Sequence, residues 1–231
     1  MPADRFFAPF THQEILTLPD EEYRHARVMR LRDGDTLELI NGQGSLATAQ
    51  IVSQDKKEMR VEILSLTTTP PPRSLMIIQA YPRQGKLDVI VEKGTELGMT
   101  ALSLFPGEYG ERTTLSSHHH TRIQHQFIAA LKQCGALYLP TLRQLPPIAE
   151  WTPFPHRTFF GDTDPHAPPL LSQLPDPAPL AFVVGPEKGF SPQEESHMRA
   201  LGIQGVKLHP HILRTETAPL CALSLLSQTS I

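Results

Sequence analysis

The stretch LAFVVGPEKGFS, residues 180–191, decides the fold of this chain. It begins as an apolar strand pattern and stops at the turn residues Gly185 and Pro186. A similar junction follows in GVKLHPHILRTETA, residues 205–218, where a second strand pattern stops and a helix pattern begins. Ligands of open α/β sheets bind at the carboxyl ends of adjacent strands, because backbone amides and helix N-termini point outward there. The two junctions therefore predict a small-molecule site near the C-terminus.

Length and composition favour a globular protein. The chain has 231 residues, enough for one large domain or two small ones. Its two cysteines, Cys134 and Cys221, are too few for a disulfide framework. Its first residues lack the apolar core of a signal peptide, and no apolar run is long enough to span a bilayer. We therefore expect a soluble cytoplasmic protein that makes no contact with a membrane.

The charge distribution leaves room for a local nucleic-acid surface. A net charge of -3 argues against indiscriminate binding to nucleic acid, which usually needs an excess of basic residues. Arg24, Arg27, Arg30 and Arg32 nevertheless lie close together, and the first three have the three-residue spacing that shares a helix face. Such a stripe could hold phosphates, although neighbouring glutamates could instead neutralise it within the helix.

Three consecutive prolines at residues 70–72 divide the chain into two predicted domains. Residues 1–72 combine short strand patterns, a hairpin signal at Asn41-Gly42 and one helix over about residues 20–29, which is typical of a small antiparallel barrel. Residues 73–231 alternate strands and helices, which predicts a mostly parallel sheet with helices on both faces. The predicted strands are 75–80, 101–105, 157–160, 180–184 and 205–208, and the predicted helices include 87–97 and 119–134.

A series of short motifs connects the chain with a known family. They are RFF at 5–7, HARVMR at 25–30 followed by Gly34-Asp35, KGTELG at 93–98, QCG at 133–135 with Pro140, GPE at 185–187 and ILRTETA at 212–218. Each motif is weak alone, but their order and spacing are specific and extend over nearly the whole chain. The chain resembles the SPOUT-class ribosomal RNA methyltransferases of the RsmE type, which methylate N3 of a uridine in 16S ribosomal RNA with S-adenosylmethionine.

The resemblance implies a fold, an assembly and a cofactor site. It implies an RNA-binding PUA-like β-barrel over residues 1–72 and a SPOUT α/β methyltransferase domain over residues 73–231, whose backbone forms a trefoil knot. It also implies a homodimer in which each cofactor pocket lies close to the partner subunit. The acidic total charge favours 16S RNA within a small-subunit particle as the substrate, because prearranged RNA needs fewer non-specific phosphate contacts. The implied cofactor contacts are Val184, Gly185, Pro186, Gly189, Leu208, His209, Ile212 and Leu213.

Four residues are candidates for the chemistry: Arg214, Glu187, Glu216 and Arg112. Arg214 could meet an RNA phosphate or the uracil carbonyls, or could instead pair with Glu187 or Glu216. Either glutamate could accept the N3 proton, a role that needs burial to raise the pKa of the carboxyl group towards neutral. Glu187 could instead act near a helix N-terminus. Arg112 stands where the resemblance places an arginine near the active site, and a solvated loop arginine is the alternative.

The candidate RNA contacts are Arg5, Arg24, Arg27, Arg30, Lys86, Lys93 and Phe190. Lys86 and Lys93 flank the first helix of the second domain and are expected to face RNA. Phe190 could stack on the target uridine, whose base must leave its stack, or could be a core contact. No metal site is expected at His118-His119-His120, because consecutive residues point in different directions.

The sequence departs from the family pattern at a few positions. Lys188 replaces the first of two paired glycines, His209 replaces another glycine, and Lys132 and Ala136 replace an acid and a base. A side chain would crowd the pocket wherever φ must be positive or a ligand comes close. The alternative function is therefore a catalytically weakened RNA-binding or ribosome-assembly factor of the same fold. A phosphate-binding hydrolase is disfavoured, because the GxxxxGK[ST] and GxSxG motifs are absent.

Overall fold

The computed structural model describes residues 5–11, 15–174 and 178–228. The chain divides into two compact units. The first consists of Met1–Pro72 together with Ile128–Leu139, and the second consists of Arg73–Phe127 together with Pro140–Ile231. The division after Pro72 coincides with the triple proline, but the sequence pattern gave no sign that residues 128–139 group with the first unit.

The first unit is built on a five-stranded sheet with the order β1-β3-β4-β5-β2. β1 pairs in parallel with β3, and the other neighbours are antiparallel. Alternate strand residues such as Phe6, Leu39 and Ile51 are buried in one apolar cluster, as expected for a sheet with one face towards a core. The elements are β1 (Arg5–Phe7), β2 (Ile15–Thr17), α1 (Asp20–Val28), β3 (Thr36–Ile40), β4 (Ser45–Gln54) and β5 (Met59–Thr68).

Residues 128–139 join this unit through contacts that are distant in sequence. The backbone N–H of Leu139 donates to the carbonyl of Gly42 at 2.9 Å, in the turn between β3 and β4. The Lys132 ammonium donates to both carboxylate oxygens of Glu22, at 2.8 and 3.0 Å. Lys132, one of the departures from the family pattern, therefore has an internal partner on α1.

Helix α1 ends in a motif that usually contains glycine. The N–H of Leu31 donates to the Ala26 carbonyl at 3.2 Å, and the N–H of Arg30 donates to the Arg27 carbonyl at 3.0 Å. These are the two hydrogen bonds of a Schellman motif, and they place Arg30 at the left-handed position with φ of 60°. Arg30 therefore lies beyond the helix, and only Arg24 and Arg27 share its exposed face. The predicted three-arginine helix face was wrong in this respect, because the helix ends at Val28 and the left-handed turn takes Arg30 off its face.

Arg30→Gly tests whether this arginine is retained for binding. A left-handed conformation is unfavourable for any residue with a Cβ, so we expect the glycine variant to be more stable by about 0.5–1 kcal/mol. Thermal unfolding measures that gain, and a filter-binding titration with the 16S RNA that the resemblance implies tests whether the variant binds it more weakly. A loss of stability together with unchanged RNA affinity would show instead that Arg30 serves only the fold.

The second unit contains a six-stranded sheet with the order β11-β9-β10-β6-β7-β8, and all neighbouring strands are parallel. The predicted parallel α/β domain is therefore confirmed. Every residue of β6, β7 and β10 is buried, which explains their continuous apolar sequences. The strands are β6 (Leu75–Ala80), β7 (Ala101–Phe105), β8 (Thr141–Gln144), β9 (Arg157–Gly161), β10 (Leu180–Val184) and β11 (Gln204–Val206).

The helices of the second unit connect these strands. They are α2 (Gln84–Glu96), α3 (Ser117–Cys134, which continues into the first unit), α4 (Pro192–Ala200) and α5 (Thr217–Ser227). α4 begins with a capping box, in which Ser191 and Glu194 each accept a hydrogen bond from the backbone N–H of the other. No helix within the described ranges has the length and apolarity to cross a membrane. The knot implied by the resemblance stays a prediction, because strand order and register do not define how the chain threads.

The two sequence junctions lie at the same edge of the sheet, although β9 separates their strands, β10 and β11. β6 lies between β7 and β10, so the chain turns to one side of β6 through β7 and β8 and to the other side through β10, β9 and β11. Ligand sites of open α/β sheets form at such a reversal, outside the carboxyl ends of the strands. The β10–α4 loop (residues 185–191) and the β11–α5 loop (residues 207–216) both begin at this edge.

Candidate functional site

A cavity of about 780 Å³ opens between the β10–α4 loop and the β11–α5 loop. Its volume is within the range of small-molecule sites. Lys86 at the start of α2 and Asp162 just after β9 also line it. All eight residues predicted to contact a cofactor lie in its lining: Val184, Gly185, Pro186, Gly189, Leu208, His209, Ile212 and Leu213.

Two glycines shape the β10–α4 loop. A Cβ on Gly185 would lie 3.2 Å from the ring of Phe190, so the strand end and the aromatic side chain pack closely. Gly189 has φ of 79°, and its N–H donates to the carbonyl of Pro186 at 2.9 Å. Lys188 does not have a positive φ, since Arg30 is the one non-glycine residue in the described ranges with that conformation. The left-handed position of the loop therefore falls on the retained glycine, and Lys188 fits its place without backbone strain.

The β11–α5 loop presents unpaired backbone groups to the cavity. The main-chain groups of Leu208, Ile212 and Leu213 take part in no hydrogen bond within the described ranges. Backbone donors and acceptors without a partner inside the protein are available to a polar ligand that enters the cavity. His209 also lacks a positive φ, and its Nδ1 accepts a hydrogen bond from the His211 N–H at 3.1 Å. His209 thus stabilises the turn that it occupies.

Lys86 bridges the two loops electrostatically. Its Nζ lies 2.9 Å from Glu187 Oε1 and 3.5 Å from Glu216 Oε2. The hydrogen bond to Glu187 raises the pKa of Lys86 above its usual value. Burial would raise the pKa of Glu187, but the Lys86 hydrogen bond and nearby positive charge outweigh it and lower that pKa. The raised pKa that a general base needs is therefore not found at Glu187.

Arg214 remains available at the cavity. Its side chain is exposed, and its guanidinium forms no ion pair or hydrogen bond within the part of the chain that the structure describes. The predicted alternative, an ion pair with Glu187 or Glu216, is absent because Lys86 lies against both carboxylates. The site therefore combines two carboxylates that share one lysine with an arginine that has no partner among the described residues.

The structure separates the other candidates from the cavity lining. Arg112 is exposed in the segment after β7, outside the lining. Lys93 pairs with Glu92 and Glu96 on α2, at 2.8 Å each. In the first unit, Arg5 pairs with Glu38 at 2.6 Å, and its side chain is only 12% exposed, so it is poorly placed for a phosphate contact. The ion pair with Glu38 therefore makes Arg5 part of the first unit's own structure.

Phe190 belongs to the core more than to an RNA surface. Its ring meets Phe160 edge-on with centroids 5.8 Å apart, and it packs against the main apolar cluster of the second unit. Although Phe190 lines part of the cavity, these contacts hold its ring in place and favour the core-contact alternative. Ile212, in contrast, is 87% exposed beside Arg214.

Gln79 and Thr215 were missed by sequence reasoning. Gln79, fully buried near the end of β6, donates to Thr215 Oγ1 at 2.9 Å, and Thr215 donates to the carbonyl of Gly185 at 3.0 Å. A polar residue inside the apolar strand LMIIQA is the signal that could have revealed this network.

The chain is similar to known RNA methyltransferases. A family model described as an RNA methyltransferase domain matches residues 69–227, and one described as an RNA methyltransferase PUA domain matches residues 18–64. The small-subunit ribosomal RNA methyltransferase E of Aquifex aeolicus is 26% identical over 96% of this chain and 97% of its own. The protein of the same name from Synechocystis is 30% identical over 86% of this chain and 67% of its own.

A solved structure extends the comparison to three dimensions. It is the ribosomal RNA small subunit methyltransferase E of Neisseria gonorrhoeae bound to S-adenosylmethionine. Its TM-score is 0.87, with 29% identity and coverage of 98% of both chains. The similarity therefore includes both units of the chain.

Proposed function

Because this chain belongs to the RNA methyltransferase family, we propose that it uses S-adenosylmethionine to methylate N3 of a uridine in 16S ribosomal RNA. The observation that carries the proposal is the cavity at the ends of β10 and β11, which combines unpaired backbone groups with an unneutralised arginine. The names of the relatives and the bound cofactor of the Neisseria protein support the cofactor and the RNA. A ribosomal RNA substrate in turn supports a cytoplasmic location.

The cofactor fits the residues of this cavity. The main-chain groups of Leu208, Ile212 and Leu213 supply the unsatisfied donors and acceptors that its adenine and methionine parts need. Gly185 leaves room for the Phe190 ring that supports the end of β10, and Gly189 allows the turn behind it. When bound there, S-adenosylmethionine supplies an activated methyl group on its sulfonium.

Arg214 and the two glutamates have different roles in the methyl transfer. Methyl transfer to N3 requires the uridine to be held in line and its N3 proton to leave, which places negative charge on the uracil. The Arg214 guanidinium can donate to the uracil carbonyls and stabilise that charge. Glu216 or Glu187, directly or through water, is the acceptor of the proton. Glu187 accepts a hydrogen bond from Lys86 at 2.9 Å, whereas Oε2 of Glu216 is buried and has no hydrogen-bond partner among the described residues, so we favour Glu216.

The first unit carries a basic surface of its own. Arg24 and Arg27 are exposed on α1, and Arg30 and Arg32 follow in the adjoining turn. We propose that these arginines contact phosphates of 16S RNA in a small-subunit particle, and that Lys188 contacts RNA at the cavity edge. Since the total charge is negative, binding should depend on this local surface and on prearranged RNA.

A homodimer accounts for the character of α5. Its sequence, TAPLCALSLLS, is apolar on more than the face that packs in the core, and Leu220 and Leu225 are only partly buried. The helix packs against α2, where Val89 is 41% exposed. We propose that this apolar surface is covered by a second copy, which sedimentation of the purified protein would detect.

Lys188 and His209, which stand where the family has glycines, should have little effect on cofactor affinity. Neither Lys188 nor His209 has a positive φ, so Lys188→Gly with His209→Gly relieves no strain. We expect the double variant to bind S-adenosylmethionine within about threefold of the natural affinity in calorimetric titration. Saturable binding by the natural protein supports the proposed function. No binding, restored in the variant, would favour the alternative of a weakened RNA-binding factor.

A further inference from the structure

Gln79 is a polar side chain in an apolar part of the core. Every residue of β6 is buried, and Gln79 is 0% exposed. Its Nε2 donates to Thr215 Oγ1 at 2.9 Å and to the Ala80 carbonyl at 3.2 Å, while its Oε1 has no partner within the described residues. A buried amide with an unsatisfied oxygen is less favourable than an apolar side chain of the same size. The fold alone therefore does not explain this glutamine.

The hydrogen bonds from Gln79 run in one direction across both cavity loops. Thr215 accepts from Gln79, so its single hydroxyl proton is directed to another acceptor, the carbonyl of Gly185 at 3.0 Å. Thr215 is 6% exposed, so water does not compete freely for the hydroxyl. Gly185 lies in the β10–α4 loop, and Thr215 lies in the β11–α5 loop. The series of hydrogen bonds from Gln79 through Thr215 to Gly185 thus connects β6 with both loops that line the cavity.

We propose that Gln79 is a positioning residue for the cofactor site, acting through Thr215. Its amide fixes the rotamer of the Thr215 hydroxyl, and the hydroxyl holds the two loops at the spacing that presents the main-chain groups of Leu208, Ile212 and Leu213 to a ligand. The identity of that ligand rests on the proposed function. An apolar residue at position 79 would leave the hydroxyl free to rotate away from Gly185.

Two variants remove different hydrogen bonds of this series. Gln79→Met keeps the length of the side chain and removes its donor, and Thr215→Val keeps the shape and removes the hydroxyl. We expect each to raise the dissociation constant for S-adenosylmethionine about tenfold. The combined variant should bind S-adenosylmethionine about as tightly as the weaker-binding single variant, because both substitutions interrupt the same series of hydrogen bonds. Thr215→Ser, which retains a hydroxyl, should remain close to the natural affinity, and kcat at saturating cofactor should change little in all of them.

Ser103→Ala is the matched control for loss of a buried polar group. Ser103 is 1% exposed on the neighbouring strand β7, and among the described residues its hydroxyl donates only to the sulfur of Met76, at 3.8 Å. This variant should leave the cofactor dissociation constant unchanged even if it lowers the melting temperature. An unchanged dissociation constant in Gln79→Met, or independent effects that multiply in the combined variant, would overturn the proposal.

Hydrogen exchange in the cofactor-free protein separates this inference from the proposed function. The hydrogen-bonded amides of Gly189, in the β10–α4 loop, and of Thr217 and Ala218, just after Thr215, should exchange faster in Gln79→Met and Thr215→Val than in the natural protein or in Ser103→Ala. Equal exchange in all four proteins would overturn the positioning role. Failure of the natural protein to bind S-adenosylmethionine would overturn the proposed function, while the exchange comparison would still test the loops. Should Gln79→Met fail to fold, Thr215→Val and Thr215→Ser carry the same comparison.

Discussion

Arg214→Ala lowers kcat/KM for RNA methylation by about a hundredfold to a thousandfold, while the dissociation constant for S-adenosylmethionine stays nearly unchanged. The reason is the position of an unneutralised guanidinium at the cavity, where the two nearby carboxylates are already paired with Lys86. A cation left free in this way can stabilise charge that develops on the uracil. Single-turnover methyl transfer with a tritiated cofactor measures the change.

The controls for Arg214 separate charge from geometry and location. Arg214→Lys retains the charge without the planar pair of donors and should recover only part of the activity. Arg112→Ala removes an exposed arginine outside the cavity lining, and it should have a much smaller effect than Arg214→Ala. Equal losses in Arg214→Ala and Arg112→Ala would contradict the assignment, as would a loss that lies entirely in cofactor affinity.

Lys86→Met produces the second large effect, a decrease of at least about tenfold in kcat/KM. Lys86 is the cation that pairs with both Glu187 and Glu216. Without it, the carboxylates repel each other and compete for Arg214, which would then be drawn away from the substrate. Lys93→Met is the matched control, because Lys93 is on the same helix but pairs with Glu92 and Glu96 outside the cavity. Steady-state kinetics should show its activity within about twofold of the natural protein.

Titration of Glu187 distinguishes this role of Lys86 from simple loss of structure. The pKa of Glu187 is lowered in the folded protein, so its pairing with Lys86 is complete above the usual carboxyl pKa and disappears only as pH falls through the lowered value. Loss of the Lys86 cation should raise the pKa of Glu187, and NMR titration of the carboxyl group in the natural protein and in Lys86→Met measures the change. Lys86→Arg should keep the pKa of Glu187 close to its natural value. A Glu187 pKa that stays in place in Lys86→Met would contradict the electrostatic role.

The parts of the fold that follow from local pattern were predictable. Residues 180–184 are apolar throughout because β10 is buried between β6 and β9, and the turn residues after it mark the carboxyl edge of the sheet. The same reasoning placed the second junction, so both loops of the cavity could be located before the structure was known. The parallel pairing also followed from the alternation of strands and helices.

The features that could not be predicted depend on contacts between distant segments. The grouping of residues 128–139 with the first unit depends on hydrogen bonds to Gly42 and Gly44, which no local pattern encodes. The pairing of Lys86 with Glu187 spans most of the second unit, and a lysine at a helix start is usually solvated. The sequence therefore identified the residues of the site. It predicted, however, that Lys86 faces RNA, and it left open an ion pair between Arg214 and Glu187 or Glu216.

The effect of the family departures also required backbone angles. Lys188 and His209 replace glycines, which suggested crowding, yet the positive φ of the β10–α4 loop falls on Gly189. A sequence shows that a glycine has been replaced but not which member of a pair needed its conformational freedom. Backbone strain at Lys188 and His209 is therefore no longer a reason to expect a catalytically weakened factor, and the reasons left are the side chain of His209 beside a ligand and the replacement at Ala136.

The most direct test of the account is to identify the methylated nucleoside. Small ribosomal subunits assembled with unmodified 16S RNA would be incubated with the protein and isotopically labelled S-adenosylmethionine, and the RNA would be digested and analysed by mass spectrometry. The account predicts labelled N3-methyluridine with the natural protein and a large reduction with Arg214→Ala. Label in a different nucleoside, or none despite saturable cofactor binding, would contradict it.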